Sequence, residues 1–172
     1  MAGGELLTRW TVRAALALYV VALALRLAAP RRRQLARAAW TAGCLLFLAH
    51  VAAAFHYFHG WSHDHAYRYT ARQTSELVGR YWGGGLFLNY IFIVAWGADV
   101  VYWWWRGTGG YLARSRRVDV PLHAFMAFMA FNATVVFASD PTRAAGIAAS
   151  ILLAGLLLNR LRSPTAAAVH SE

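Results

Sequence analysis

The sequence predicts an all-α, polytopic membrane helix bundle with about five transmembrane helices and a short interfacial helix in its outer loop. Apolar residues make up 59% of the 172 residues and charged residues only 14%, whereas soluble domains contain about 45–50% apolar and about 25% charged residues. The apolar residues also fall into five runs, each near the about 20 residues that a helix needs to cross a membrane. This composition excludes a disordered chain, a disulfide-stapled secreted domain and a typical soluble enzyme. We therefore expect a single integral membrane domain over residues 1–172.

Each apolar run is predicted to form one helix, because in lipid the backbone polar groups must be satisfied within the segment. The predicted spans cover residues 8–29, 35–59, 85–105, 121–138 and 144–161. The first run has the short apolar core of a signal peptide, but Pro30 and four arginines follow it instead of a small-residue cleavage site. We therefore expect it to be retained as a span. Between the last two spans, the segment Ser-Asp-Pro-Thr-Arg at 139–143 predicts a tight hairpin.

Arginine distribution predicts the orientation of the chain in the membrane. All 17 basic residues are arginine, and the formal net charge is +10. Eleven arginines lie near the loops after the first and third spans and near the C-terminus, and six lie on the other side. Because basic residues are enriched in cytoplasmic loops, we expect a bacterial inner-membrane protein with its N-terminus outside and its C-terminus in the cytoplasm. Nucleic-acid binding would need the arginines on one soluble face, so the predicted partner is the lipid bilayer.

The longest segment outside the predicted spans is the outer loop, residues 60–84. Five of its residues have the spacing of one face of a short helix lying on the membrane: Ala66, Tyr69, Thr70, Gln73 and Leu77. Gly83-Gly84-Gly85 then predicts a flexible or closely packed start of the third span. At the end of that span, the aromatic run from Tyr102 to Trp105 predicts an inner interfacial belt.

Four of the seven histidines lie within ten residues at the predicted outer mouth. If the second helix continues past Gly60, His56, His59 and His63 form one stripe. His59 and His63 also have the i, i+4 spacing with which one helix supplies two metal ligands. Imidazole with carboxylate suits zinc, iron, nickel or copper(II), so the sequence predicts a candidate metal site. Its candidate ligands are His56, His59, His63, His65, Asp64 and Glu76.

Two other interpretations of the histidines stay open. Histidines at a membrane interface present an apolar body and a polar tip, and Gly60 would then end the helix and scatter the stripe. Several imidazoles near water can also act as a proton relay or pH switch between about pH 5 and 8. A haem is not expected, because His50 and His123 differ in depth by roughly 10 Å at 1.5 Å per residue.

Polar side chains also fall within the predicted spans, where a charge costs at least about 2.5 kcal/mol and usually faces a partner or a cavity. On the inner side, Asp99 lies at the depth of Arg26 and His123. We expect Asp99 to contact one of them, either as a packing lock between helices or as part of a proton or ion path. On the outer side, four polar residues are candidates for the floor of a small cavity below the histidines: Arg13, His50, Asn89 and Asn132.

Small residues recur every four positions on the fifth span, at Gly146, Ser150 and Ala154. This pattern lets another helix approach closely. The approaching helix belongs to this chain, to a second copy or to another membrane subunit.

Four segments resemble an uncharacterised family of small polytopic bacterial membrane proteins. They are FHYFHGWSHDHAY, RYWGGGLFLNY, ADVVYWWW and FMAFNATVVF. The resemblance implies a membrane-embedded unit built around residues 56–65 and 82–90, and it implies no activity. The segment from His59 to His63 is also similar to the HxxxH box of membrane hydroxylases and desaturases. Those enzymes need several such boxes around two irons, normally on the cytoplasmic side.

The leading hypothesis is a small membrane component of unknown biochemical activity, with the histidines at its outer mouth as a candidate transition-metal site. One alternative is a metal-dependent membrane enzyme that acts on a lipid or a small apolar substrate, which needs three or more convergent ligands beside a lipid-accessible pocket. Another alternative is a proton or ion carrier, which needs a polar line from Asp99 to the outer mouth.

Overall fold

A computed structural model describes residues 2–162, which form six α-helices and no strand. The helices are α1 (Ala2–Ala28), α2 (Arg33–Ala54), α3 (His63–Val78), α4 (Gly85–Leu112), α5 (Arg116–Phe131) and α6 (Thr142–Arg162). A 3₁₀ turn over Pro30–Arg32 precedes α2, and π-helical turns extend α2 over Phe55–His59 and α5 over Asn132–Val136. The predicted all-α class is confirmed. The predicted domain, 1–172, reaches beyond the described residues at both ends.

Five helical segments of the described chain are long and apolar enough to cross a membrane. They are Gly3–Ala28, Pro30–His59, Gly85–Leu112, Arg116–Val136 and Thr142–Arg162. The predicted number of spans is confirmed, and each predicted apolar centre lies within one of these segments. All five observed segments are longer than predicted, because polar and glycine residues continue the helices beyond their apolar centres. The predicted hairpin is also confirmed, since α6 begins at Thr142 after the π-helical turn ends at Val136.

Aromatic side chains from α1, α2 and α4 form the packed centre of the bundle. Tyr19, Trp40 and Trp96 are buried, and their ring centroids lie 5.2–5.7 Å apart. Gly43 of α2 makes this packing possible, because a Cβ atom there would lie 3.0 Å from Trp96 and 3.2 Å from the carbonyl oxygen of Ala15. Van der Waals packing of this kind drives helix association in lipid, where apolar burial alone gives no advantage.

α6 packs closely against the π-helical turn of α5. A Cβ atom at Gly146 would lie 2.6 Å from Cβ of Thr134 and 2.8 Å from its carbonyl oxygen. At Gly146, the helix that approaches the predicted small-residue face therefore belongs to this chain. Ser150 and Ala154, one and two turns further along α6, line a cleft between α1, α5 and α6.

α3 lies beside the start of α4 with its small residues toward the bundle. Gly83 allows the contact, because a Cβ atom there would lie 2.6 Å from the carbonyl oxygen of Tyr67. The glycine run before α4 is therefore closely packed. Within the predicted face of this helix, Ala66 is buried and Thr70 is half-buried, whereas the other three residues are exposed: Tyr69, Gln73 and Leu77.

The antiparallel order of the long helices places different chemistry at the two ends of the bundle. The histidine end contains the start of α1, residues 56–65 and the α5–α6 turn. The arginine end contains residues 26–33, 112–117 and 160–162. Buried charge is concentrated toward the arginine end.

Candidate functional site

Two arginines and two aspartates form a connected cluster toward the arginine end. Arg114 donates from Nη1 to Oδ1 of Asp99 and from Nη2 to Oδ1 of Asp119, the latter over 2.6 Å. Arg26 of α1 donates to both carboxylate oxygens of Asp119 over 2.9 and 3.0 Å. We name Arg26, Asp99, Arg114 and Asp119 the charge cluster. It links α1, α4 and α5 through groups that would be costly to leave unpaired away from water.

Asp99 is the most buried member of the charge cluster, with 2% of its surface exposed. Besides Arg114, the Tyr111 hydroxyl donates to its Oδ2 over 2.7 Å and the Trp40 indole donates over 2.9 Å. Tyr111 reaches Asp99 because α4 breaks at Gly107, where φ is 63° and ψ is 178°. Glycine adopts this backbone conformation without the steric penalty of a side chain. A buried carboxylate thus has three donors, one of them charged.

Arg114 lies in the turn between α4 and α5, and 8% of its side chain is exposed. Burial disfavours its charge, but the hydrogen bonds and ion pairs with Asp119 and Asp99 outweigh burial and raise the pKa of Arg114 above its usual range. Arg114 therefore stays charged and holds the two carboxylates together.

His123 of α5 extends the charge cluster on the side of α1. Arg26 Nη1 lies 2.5 Å from Nε2 of His123, and Nδ1 of His123 lies 3.0 Å from the carbonyl oxygen of Asp119. An arginine can only donate, so Nε2 accepts and Nδ1 carries the proton that is donated to the carbonyl. The imidazole also stacks on Trp40 at a ring distance of 5.9 Å. This arrangement holds the neutral form of His123.

The prediction that Asp99 contacts Arg26 or His123 was wrong about the partner. Asp99 is bound by Arg114, Tyr111 and Trp40, whereas Arg26 and His123 contact each other. Helical rise gives the depth of a residue but not the direction of its side chain around the bundle. Arg114 also folds back into the bundle from a turn, which a depth count along the spans does not include.

Sequence reasoning missed four residues of this region: Trp40, Tyr111, Arg114 and Asp119. A usable signal was the i, i+4 spacing of Asp119 and His123 at the start of the fourth span, since residues at that spacing are neighbours on a helix. Arg114 and Tyr111 carry no such signal, because their positions depend on the break at Gly107.

A cleft of about 1850 Å³ lies between α1, α5 and α6. Its walls consist mainly of leucine, valine, alanine and phenylalanine side chains, among them Leu16, Val20, Leu23, Ala127, Phe128 and Leu153. Toward the histidine end it reaches Arg13, which donates to Thr142 over 3.2 Å. Pockets for drug-sized ligands measure about 300–1,000 Å³, so this cleft is large enough for a long apolar molecule.

The cleft ends among five arginines and one acid at the arginine end. Arg26, Arg114 and the acid, Asp119, belong to the charge cluster. The three others are exposed, and within residues 2–162 they make no ion pair: Arg33, Arg116 and Arg160. We name these three the rim arginines. They give the mouth of an apolar cleft a strong positive charge.

The four polar residues expected to converge below the histidines make no hydrogen bond to one another within residues 2–162. Arg13 contacts α6, and the ring of His50 contacts the backbone of α1 over 2.8 Å. Asn132 donates to the backbone of its own helix over 2.8 Å, and Asn89 is exposed. Arg13, His50 and Asn132 thus each have a hydrogen-bond partner on their own or a neighbouring helix. Their polar groups are satisfied without a shared polar cavity.

Gly60 ends the second span, so the predicted histidine stripe is not continuous. Gly60 has φ 55° and ψ 33°, and Trp61 after it also has a positive φ of 59°. α3 then begins at His63, with Ser62 accepting from the backbone amide of His65 as an N-cap. The turn separates His56 and His59 from the helix that carries His63.

The six candidate metal ligands are divided among different contacts. His63 Nδ1 lies 3.0 Å from the Tyr90 hydroxyl, and Asp64 pairs with Arg68. His56 packs against Tyr57, and Glu76 is exposed on α3. The rings of His59 and His65 pack edge to face, with centroids 5.5 Å apart. In the described part of the chain, no three His, Cys, Asp or Glu side chains are placed to hold one metal ion.

Comparisons with protein-family models, with curated protein sequences and with solved structures find no match to this chain.

Proposed function

We propose that the protein binds an anionic phospholipid in the cleft between α1, α5 and α6. In this proposal it is a multi-pass protein of a bacterial inner membrane, with its N-terminus outside and its arginine end at the cytoplasmic face. The observation that carries the proposal is the junction of a long apolar cleft with the rim arginines Arg33, Arg116 and Arg160. An amphiphile with an anionic head and an apolar chain has the complementary distribution of chemistry.

The dimensions of the cleft support an acyl chain as its occupant. α1 lines it from Arg13 to Arg26, which corresponds to about 20 Å at 1.5 Å per residue. One leaflet contributes about half of a hydrocarbon core that is about 30 Å thick. A chain from one leaflet would therefore fit along the apolar wall while its head group stays at the arginine end.

The charge at the mouth supports a phosphate head group. Guanidinium groups bind phosphate oxygens in a bidentate geometry, and basic pockets between transmembrane helices bind anionic lipid head groups on the cytoplasmic side. Arg26 and Arg114 are occupied by Asp119 and Asp99. Within residues 2–162 the rim arginines make no ion pair, and the one side-chain hydrogen bond among them joins Arg160 to the carbonyl oxygen of Arg26 over 3.4 Å. Their guanidinium charges are therefore available to a ligand, and the charge cluster fixes the helices around them.

The geometry favours lipid binding over a proton or ion carrier and over a metal-dependent membrane enzyme. A carrier needs a polar line from Asp99 to the histidine end, but the packed rings of Tyr19, Trp40 and Trp96 lie in that direction. A metal-dependent enzyme needs convergent ligands beside the cleft. The histidines at 56–65 lie at the other end of the bundle from the rim arginines.

Lipid titration of the purified chain in detergent tests the proposal. Phosphatidylglycerol is expected to bind more tightly than phosphatidylcholine with the same acyl chains. In the double variant Arg116→Gln/Arg160→Gln, the affinity for phosphatidylglycerol is expected to fall by about thirtyfold. This estimate follows because each arginine contributes about 1 kcal/mol near an anionic surface. Phosphatidylcholine affinity should change little.

The matched control changes two arginines at the other end, Arg68→Gln/Arg72→Gln, which are both exposed on α3. This control should keep the affinity for phosphatidylglycerol. Inorganic phosphate at the same concentration should not displace the lipid, since it lacks the acyl chain. Equal binding of the two lipids, or equal losses in the two double variants, would contradict the proposal.

A further inference from the structure

We infer that His59 and His65 bind one transition-metal ion at the histidine end, with the remaining coordination positions open to water or another ligand. The proposal is independent of lipid binding, because the two sites lie at opposite ends of the bundle. It concerns the two clustered histidines whose rings pack against each other. Of the other two, His56 packs against Tyr57 and His63 lies beside the Tyr90 hydroxyl.

The spacing of the two rings fits a shared metal ion. Their centroids lie 5.5 Å apart and their planes are inclined by 68°. With metal–nitrogen distances of about 2.0–2.1 Å, two imidazoles at neighbouring positions of one ion have ring centres about 4.5 Å apart in tetragonal coordination and about 5 Å apart in tetrahedral coordination. The rings of His59 and His65 are therefore separated by nearly the distance that one ion bound between them requires.

His59 also has a ring nitrogen without a partner in the protein. Its Nδ1 atom is buried and makes no hydrogen bond to any described residue. A buried polar atom in this state needs an explanation, and a bound ion or water supplies one. His63 differs in this respect, because its Nδ1 lies 3.0 Å from the Tyr90 hydroxyl.

The local backbone brings the two rings together at an energetic cost. His59 ends a π-helical turn, and such turns often occur at functional sites. The next two residues have positive φ angles, 55° at Gly60 and 59° at Trp61. Positive φ is unfavourable for a bulky residue such as tryptophan. This strained turn sets His65 of α3 against His59, which a straight helix would not do.

Imidazole ligands select the class of metal. They suit copper(II), nickel and zinc better than calcium or magnesium, and affinity for a given set of ligands is highest for copper(II). Tyr69 packs against His59 with ring centroids 5.4 Å apart. It closes one side of the pair, while His65 is exposed and leaves the site accessible from water.

Isothermal titration of the full chain with CuCl₂, NiCl₂ and ZnCl₂ tests the site, after any affinity tag has been removed. One copper(II) ion per chain is expected, with weaker binding of nickel and zinc. Loss of a residue that only supports a metal ligand weakens binding by about 10–100-fold. His59→Ala and His65→Ala each remove a ligand and should weaken copper(II) binding by more than that. His56→Ala and His63→Ala are the matched controls and should bind as the wild type does.

Electron paramagnetic resonance of the copper(II)-loaded chain should show nitrogen ligands from two imidazoles. In His59→Ala and in His65→Ala it should show nitrogen from one imidazole. Because His65 is exposed, His65→Gln keeps the proposal testable if His59→Ala fails to fold. Absence of copper(II) binding by the wild type, or an equal loss in His63→Ala and His65→Ala, would overturn the proposal. Neither outcome would affect the test of lipid binding at the arginine end.

Discussion

At the scale of single residues, the charge cluster explains how this chain keeps ionised groups among apolar helices. Asp99 is 2% exposed and has three donors, so its charge is compensated where water does not reach. Replacement of one member of a buried pair leaves the other charge without compensation, which typically costs about 3–5 kcal/mol. The stability of the arginine end therefore depends on each member of the cluster.

Asp99→Asn is expected to lower the free energy of unfolding by about 3 kcal/mol, near the lower end of that range because Asp119 still pairs with Arg114. Thermal or denaturant unfolding in detergent measures the change. The matched control, Asp64→Asn, removes an exposed ion pair with Arg68 and should change stability by less than about 1 kcal/mol. Similar losses in the two variants would show that Asp99 is not specially stabilising.

The sequence was sufficient to identify the intramembrane position of Asp99 and its level with Arg26 and His123. It was not sufficient to identify Arg114 as the partner of Asp99. That contact depends on the break at Gly107 and on a side chain that returns from a turn. Hydropathy and helical spacing describe residues inside spans, whereas this pair is made by tertiary structure.

At the scale of helices, close approaches depend on glycines whose positions allow no side chain. Gly146 is the clearest case, because α6 meets the π-helical turn of α5 there. The four-residue spacing of small side chains predicted a close approach, but spacing alone did not specify which helix approaches. The same limit applied to the histidines, where Gly60 allowed either a continuous stripe or a turn.

Gly146→Ala is expected to destabilise the packing of α6, since its Cβ would lie 2.6 Å from Cβ of Thr134. Gly155→Ala, on the same helix, is the matched control because a Cβ there meets no atom within 4 Å. The control should be neutral or stabilising by up to about 1 kcal/mol from helix propensity. Thermal unfolding of both variants in detergent measures the difference, and a Gly146→Ala chain as stable as Gly155→Ala would contradict the packing.

At the scale of the whole molecule, five long helices separate a histidine end from an arginine end. The sequence predicted the number of long helices and the separation of these ends, because both follow from hydropathy and from the positions of the arginines. It did not predict the cleft between α1, α5 and α6, because a cleft depends on which helices fail to touch. From the sequence alone, the rim arginines therefore indicated only the orientation of the chain in the membrane.

The orientation itself can be measured with introduced cysteines. The chain has one cysteine, Cys44, which is buried. A membrane-impermeant maleimide is expected to label Gln73→Cys in intact spheroplasts, because basic loops stay in the cytoplasm and this loop would then be outside. Arg31→Cys should be labelled only after lysis, and the unaltered chain should remain unlabelled. The reverse pattern would contradict the predicted orientation.

The central claim, that the cleft holds an anionic phospholipid, is tested most directly by filling the cleft. Ala149 lines it, whereas Ala148 on the same helix is exposed and does not. Native mass spectrometry of the chain with phosphatidylglycerol measures the bound lipid. We predict that Ala149→Trp strongly reduces the bound fraction and that Ala148→Trp retains it. Equal lipid binding by both variants would show that the lipid does not occupy the cleft.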